Sequence, residues 1–97
     1  MKRSEGFALT TFAQYNGRHV GRHSVMYFDD RDAAERRMRR CFDRAYEKVG
    51  ADNMVSSTLW KDSGHLDGIN AKGNAVHHEW EIIDLKLWKG KYRGQQQ

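Results

Sequence analysis

The segment Asp29–Gly50, DDRDAAERRMRRCFDRAYEKVG, has two chemically distinct faces when wound as a helix. At about 100° per residue, Ala34, Met38, Cys41, Phe42, Ala45 and Val49 fall within an arc of roughly 100°. Asp29 or Asp30 can offer a side-chain oxygen to the first-turn N–H groups, and Asp32 and Glu35 suit the positive end of the helix dipole. Gly50 is placed to end the helix. Opposite the apolar arc, Arg36, Arg37, Arg40 and Arg44 cover about a third of the circumference, with Arg31 and Arg39 nearby. Such a helix needs an apolar surface to lie on, and the flanking segments must supply it.

Those segments read as strands. From Gly6 to Tyr15, Phe7, Leu9, Thr11, Ala13 and Tyr15 alternate with Ala8, Thr10, Phe12 and Gln14. Asn16-Gly17 then predicts a two-residue turn, because both residues tolerate positive φ. The return strand is Arg18 to Phe28, with Gly21 as a candidate bulge. Beyond the helix, Asn53 to Lys61 reads as a third strand, with Met54, Ser56, Thr58 and Trp60 on one face and Val55, Ser57 and Leu59 on the other. Asp62 to Asn74, holding Gly64, Gly68 and Gly73, reads as a long glycine-rich loop. Ala75 to about Leu87 is a fourth strand, with Val76, His78, Trp80 and Ile82 on one face, then Ile83, Leu85 and Leu87 on the other, so a bulge or a new element is expected at Ile82-Ile83. The predicted fold is α+β: a single domain over 1–97 in ββαββ order, a four-stranded antiparallel sheet with one amphipathic helix packed on one face. Its core spans about 6–88, and 89–97 forms a basic tail expected to be flexible.

Lys and Arg number 17 against 13 Asp and Glu, for a net charge of +4. That balance favours acidic partners: nucleic acid, an anionic surface or an acidic protein. The single cysteine, Cys41, excludes an internal disulfide and fits a reducing, cytoplasmic setting. No apolar run approaches the roughly 20 residues that span a bilayer, so no membrane partner is expected. Met1-Lys2-Arg3-Ser4-Glu5 is not followed by the apolar stretch of a signal peptide.

Three groups of residues are candidate binding elements. The helix arginines Arg36, Arg37, Arg40 and Arg44 can give bidentate contacts to phosphates or carboxylates from one rigid face. Against this stands a merely solvated face, because Glu35, Asp43 and Glu47 are close enough in the helix to pair with them. Arg18 and Arg22 extend a basic surface beside the hairpin. Trp88, Lys89, Lys91, Tyr92 and Arg93 interleave aromatics with cations, a pattern suited to stacking bases and pairing phosphates, or to ordering on a protein.

No catalytic residue, metal or cofactor is assigned. His19 and His23, four apart on a strand, lie about 13 Å from each other, too far to share an ion. His77 can pair with Glu79 but not with His78, and His65 and Asp67 stand in the expected loop. Asp67 with Asp84-Leu85-Lys86 loosely follows the carboxylate and lysine spacing of metal-dependent nucleases, where two carboxylates hold Mg²⁺. Neither a glycine-rich phosphate loop nor a nucleophile elbow is present.

The stretch Phe28-Asp29-Asp30-Arg31-Asp32-Ala33-Ala34-Glu35 enters a helix directly from a strand, in a short chain without enzymatic motifs. In this the chain resembles the small single-domain proteins of phages and mobile elements, anti-CRISPR proteins in particular. The resemblance is one of type and assigns no residue a role. It implies a stoichiometric inhibitor that blocks a surface of a protein complex handling nucleic acid, such as a CRISPR effector. Many members are acidic and mimic DNA, whereas this basic chain would meet an acidic surface or hold nucleic acid itself. The expectation is a non-enzymatic binding or inhibitor module, with the arginine face and the glycine-rich loop as its contacts. Direct DNA or RNA binding through the helix face and tail is the second reading, and a small metal-dependent nuclease the third.

Overall fold

The computed structural model describes residues 6–16 and 22–87, with the side chain of Arg22 left out. Strands β1 (Phe7–Tyr15) and β2 (Arg22–Phe28) precede helix α1 (Arg31–Val49). A short 3-10 turn over Ala51–Asn53 leads into β3 (Met54–Leu59), β4 (Ser63–Ile69) and β5 (Ala75–Asp84). The strands form one sheet in the order β2-β1-β5-β4-β3, every neighbouring pair antiparallel. The chain is therefore α+β with one main helix on one face of an antiparallel sheet, in ββαβββ order. Among the described residues no helix is long and apolar enough to cross a membrane.

The helix ends as its sequence requires. Asp30 is the N-cap, its Oδ1 accepting from the Ala33 N–H at 2.7 Å. Gly50 closes the other end at φ 86°, its N–H bonding to the Tyr46 carbonyl at 2.8 Å. Ala34, Met38, Ala45 and Val49 are buried against Leu9, Leu66, Trp80 and Ile82. Cys41, Phe42 and Tyr46 pack around them, and the Phe42 ring meets Trp80 edge-on at 5.7 Å. The faces predicted for β1 and β5 are those observed, since Leu9 stands opposite Ile82 and Thr11 opposite Trp80.

The fifth strand corrects the four-stranded expectation. β4 lies inside the segment that reads as a loop, and its residues alternate Gly64, Leu66 and Gly68 buried under the helix side. The glycines serve close approach. A Cβ on Gly68 would stand 2.5 Å from Val49 Cγ1 and 2.9 Å from the Asn53 carbonyl oxygen. The connection from β4 to β5 is short: Gly73 N–H bonds to the Asn70 carbonyl at 2.9 Å, and Gly73 takes φ 82°. Asn70 Oδ1 accepts from the backbone N–H groups of Lys72 and Asn74, both at 3.0 Å.

Three local expectations also change. The β3 register shifts between Met54 and Ser56, so Met54 and Leu59 both pack on the core, although strict alternation separates them. β5 runs unbroken through Ile82-Ile83, opposite Leu9 and Ala8 of β1, and ends at Asp84, so neither a bulge nor a new element begins at Ile82-Ile83. Finally, a two-residue turn at Asn16-Gly17 would set Val20 opposite Ala13, yet Arg22 stands there. Asn16, at φ 54°, instead continues the contact with β5: its N–H reaches the Ala75 carbonyl at 2.7 Å, and its side chain bonds to Asn74 and Ala75.

Candidate binding surface

Helix α1 presents its arginines as the sequence predicts. Arg36, Arg37, Arg39, Arg40 and Arg44 are exposed, and among the described residues none of them makes an ion pair. Glu35, Asp43 and Glu47, near enough along the helix to pair with them, do not. Arg31 is spent differently, with its guanidinium over the Phe7 ring at 5.2 Å.

The basic charge is not spread evenly around the helix. Arg36 and Arg39 lie on the flank facing β3, with Asp32 and Glu35, beside Leu59, Trp60 and Lys61. Arg44 and Lys48 lie on the other flank, over β1 and β2, and Arg37 shares that side by helical spacing. Arg40, Arg44 and Lys48 follow at successive steps of about 6 Å along the axis. Sequence reasoning missed Lys48, although its i+4 spacing from Arg44 extends the stripe.

Beneath that flank the helix leaves part of the sheet uncovered. A groove of about 640 Å³ runs between α1 and the sheet. Ala13, Met26, Ala45 and Val76 line its apolar floor, and Arg44, Lys48 and Lys72 bring cations to it. No carboxylate side chain lines it among the described residues. His78 also lines the groove, stacked on Trp80 at 5.4 Å. Burial holds its pKa below the ordinary 6.5, and the charges of His77 and Lys48 act in the same direction. The sequence gives no sign of Lys72 as part of this surface, because its position depends on the tight Asn70–Asn74 turn.

The opposite face of the sheet carries the other sign. Asp67, Glu79 and Glu81 stand there beside His65 and His77. His77 Nδ1 is 2.6 Å from Asp67 Oδ1, and its Nε2 is 3.1 Å from Glu79 Oε2. Both ring nitrogens can donate only when the imidazole is protonated. Burial opposes that charge, but the hydrogen bonds to Asp67 and Glu79, with their negative charge, outweigh it and raise the His77 pKa above 6.5. The predicted pairing of His77 with Glu79 rather than His78 is present. The two carboxylates occupy opposite ends of one imidazole, an arrangement that locks the ring rather than opening a metal site. Among the described residues no group of three or more His, Cys, Asp or Glu could hold an ion.

The residues of the nuclease-like pattern are not brought together. Asp67 stands opposite His77 on the uncovered face, while Asp84 ends β5 opposite Phe7 on the helix side. Seven residue steps along β5 separate their positions, about 23 Å. Of the other binding candidates, Arg22 begins β2, opposite Ala13. Arg18, Trp88, Lys89, Lys91, Tyr92 and Arg93 lie outside the described residues, as does the predicted tail.

Comparison with protein-family models, with curated proteins and with solved structures finds no match.

Proposed function

We propose that this protein is a non-enzymatic binding module, resembling anti-CRISPR proteins, that inhibits or adapts a protein complex handling nucleic acid by docking its basic helix flank on an acidic surface. The observation that carries this reading is the run Arg37, Arg40, Arg44 and Lys48, exposed and, among the described residues, free of ion pairs on a helix pinned by Met38, Ala45 and Val49. A pinned helix presents these charges in a fixed spacing. Arginine side chains on such a platform form charge-assisted contacts with little further ordering of the backbone. Arginine is also among the residues that dominate interface energetics.

The acidic opposite face supports an oriented encounter, since Asp67, Glu79 and Glu81 would be repelled by a negative surface that attracts the helix flank. The same flank could meet nucleic acid directly, and one experiment separates the two. The intact protein is used to capture partners from its host with and without nuclease digestion. Protein contact predicts a partner that survives digestion and is lost on Arg37→Glu/Arg40→Glu/Arg44→Glu. Loss on digestion alone transfers the function to direct nucleic-acid binding, and the absence of any stable complex sinks the reading.

A further inference from the structure

The two edges of the sheet are treated differently. At one edge β3 is short and broken by the register shift between Met54 and Ser56, a feature that discourages pairing with another chain. At the other edge β2 runs seven residues, Arg22–Phe28, with an unbroken register to β1 and no proline or lysine. Among the described residues β1 is the only strand that neighbours it. On the uncovered face β2 exposes Val25 at 49% and Tyr27 at 47%. On the helix face Ser24 and Met26 form the near wall of the groove whose far side carries Arg44 and Lys48.

We infer that β2 is a docking edge for an extended acidic segment of the partner protein, which adds to the sheet as a sixth strand and turns its carboxylates into the Arg44–Lys48 groove. This rests on the reading of the basic helix flank as a protein-docking surface and specifies how the partner is held. Strand addition supplies main-chain hydrogen bonds, and side-chain alternation supplies selectivity. Alternate residues of the added strand fall on the groove side, where a glutamate lays its methylenes over the apolar wall and its carboxylate reaches the cations. The residues between fall beside Val25, where an apolar side chain makes a cross-strand pair.

Charge selects this occupant over two others. A second copy pairing β2 to β2 would bring two arginine flanks together and add Arg22 and His23, with no acid on either strand. The chain's own segment 88–97 carries Lys89, Lys91 and Arg93 and neither Asp nor Glu, the wrong sign for a cationic groove.

The probe is a capped seven-residue peptide alternating glutamate with valine, titrated at low salt into the isotope-labelled full chain. The expected result is saturable binding with a dissociation constant below about 1 mM, and slowed hydrogen exchange along β2. N-methylation of alternate peptide amides, or Arg44→Glu/Lys48→Glu in the protein, should each weaken binding by at least about tenfold. Three results overturn the inference: no binding, equal binding of the peptide with lysine in place of glutamate, or binding indifferent to N-methylation. If the peptide fails while partner capture still depends on Arg37 and Arg40, only the strand-addition mode falls. If capture fails as well, the helix-flank reading falls with it.

Discussion

Gly68→Ala adds one methyl group where the helix C-terminus meets β4, and the structure sets its cost. The new Cβ would lie 2.5 Å from Val49 Cγ1, 2.9 Å from the Asn53 carbonyl oxygen and 3.5 Å from Met54 Cα. In an open strand, glycine to alanine at a compatible backbone stabilises by about 0.4–1 kcal/mol, through the unfolded chain. Here Val49 can shift a methyl, but the Asn53 oxygen belongs to the backbone of the 3-10 turn that follows Gly50. Overpacking of this kind costs about 1–3 kcal/mol. The net expectation is a loss of about 1–2 kcal/mol, measured by urea unfolding with the linear-extrapolation slope unchanged. Val49→Ala alone removes two buried methyl groups, about 1.6 kcal/mol before any cavity term. Combined with it, Gly68→Ala should cost less than it does alone, because one of its two closest contacts is gone. A neutral or stabilising Gly68→Ala single variant would refute the packing of the helix end on β4.

Met38→Ala should destabilise by about 2–5 kcal/mol, since Met38 is 2% exposed, whereas Arg40→Ala should change unfolding stability by less than about 0.5 kcal/mol. Thermal unfolding of the two variants checks both, and a reversed order would mean the helix faces the other way. Asp30→Ala removes the 2.7 Å cap bond and should cost about 0.5–2 kcal/mol, with Asp30→Ser restoring most of it. Histidine titration followed by NMR should place His77 above 6.5 and His78 below it, and Asp67→Asn should lower the His77 value. The linked stabilities have opposite signs. The His77 contribution is full below pH 6.5 and is lost as pH rises through its raised pKa, while that of His78 is full above 6.5 and is lost as pH falls through its lowered one. Equal midpoints for the two rings would contradict the geometry.

The helix was legible in the sequence because cap, apolar arc and terminal glycine all point one way, and Asp30, Met38 and Gly50 take the expected roles. β1 and β5 were legible for a similar reason, alternation sustained from Phe7 to Tyr15 and from Val76 to Ile82. β4 was not. Its glycines carry the local signature of a loop, and their purpose, clearing space for Val49 and Leu59, exists only once the helix and β3 are docked. The Met54–Ser56 shift and the Asn16 bonds to Asn74 and Ala75 are likewise tertiary facts with no local sequence signal. In the candidate surface, the exposed arginines followed from helical spacing. That none of them pairs with the helix's own carboxylates did not, because Glu35, Asp43 and Glu47 stand at pairing distance in sequence, and only coordinates show that the side chains do not meet. The groove depends on where the helix axis crosses the sheet, so Lys72 joined the surface unannounced.

The charged helix flank is tested most directly by charge reversal with fold held constant. The full chain and its Arg37→Glu/Arg40→Glu/Arg44→Glu variant, matched for melting temperature, are compared for binding to the captured partner by calorimetry across a range of salt concentrations. Binding by the native chain that weakens with salt, and a variant that folds but does not bind, is the predicted result. A variant that binds as tightly as the native chain would contradict the account.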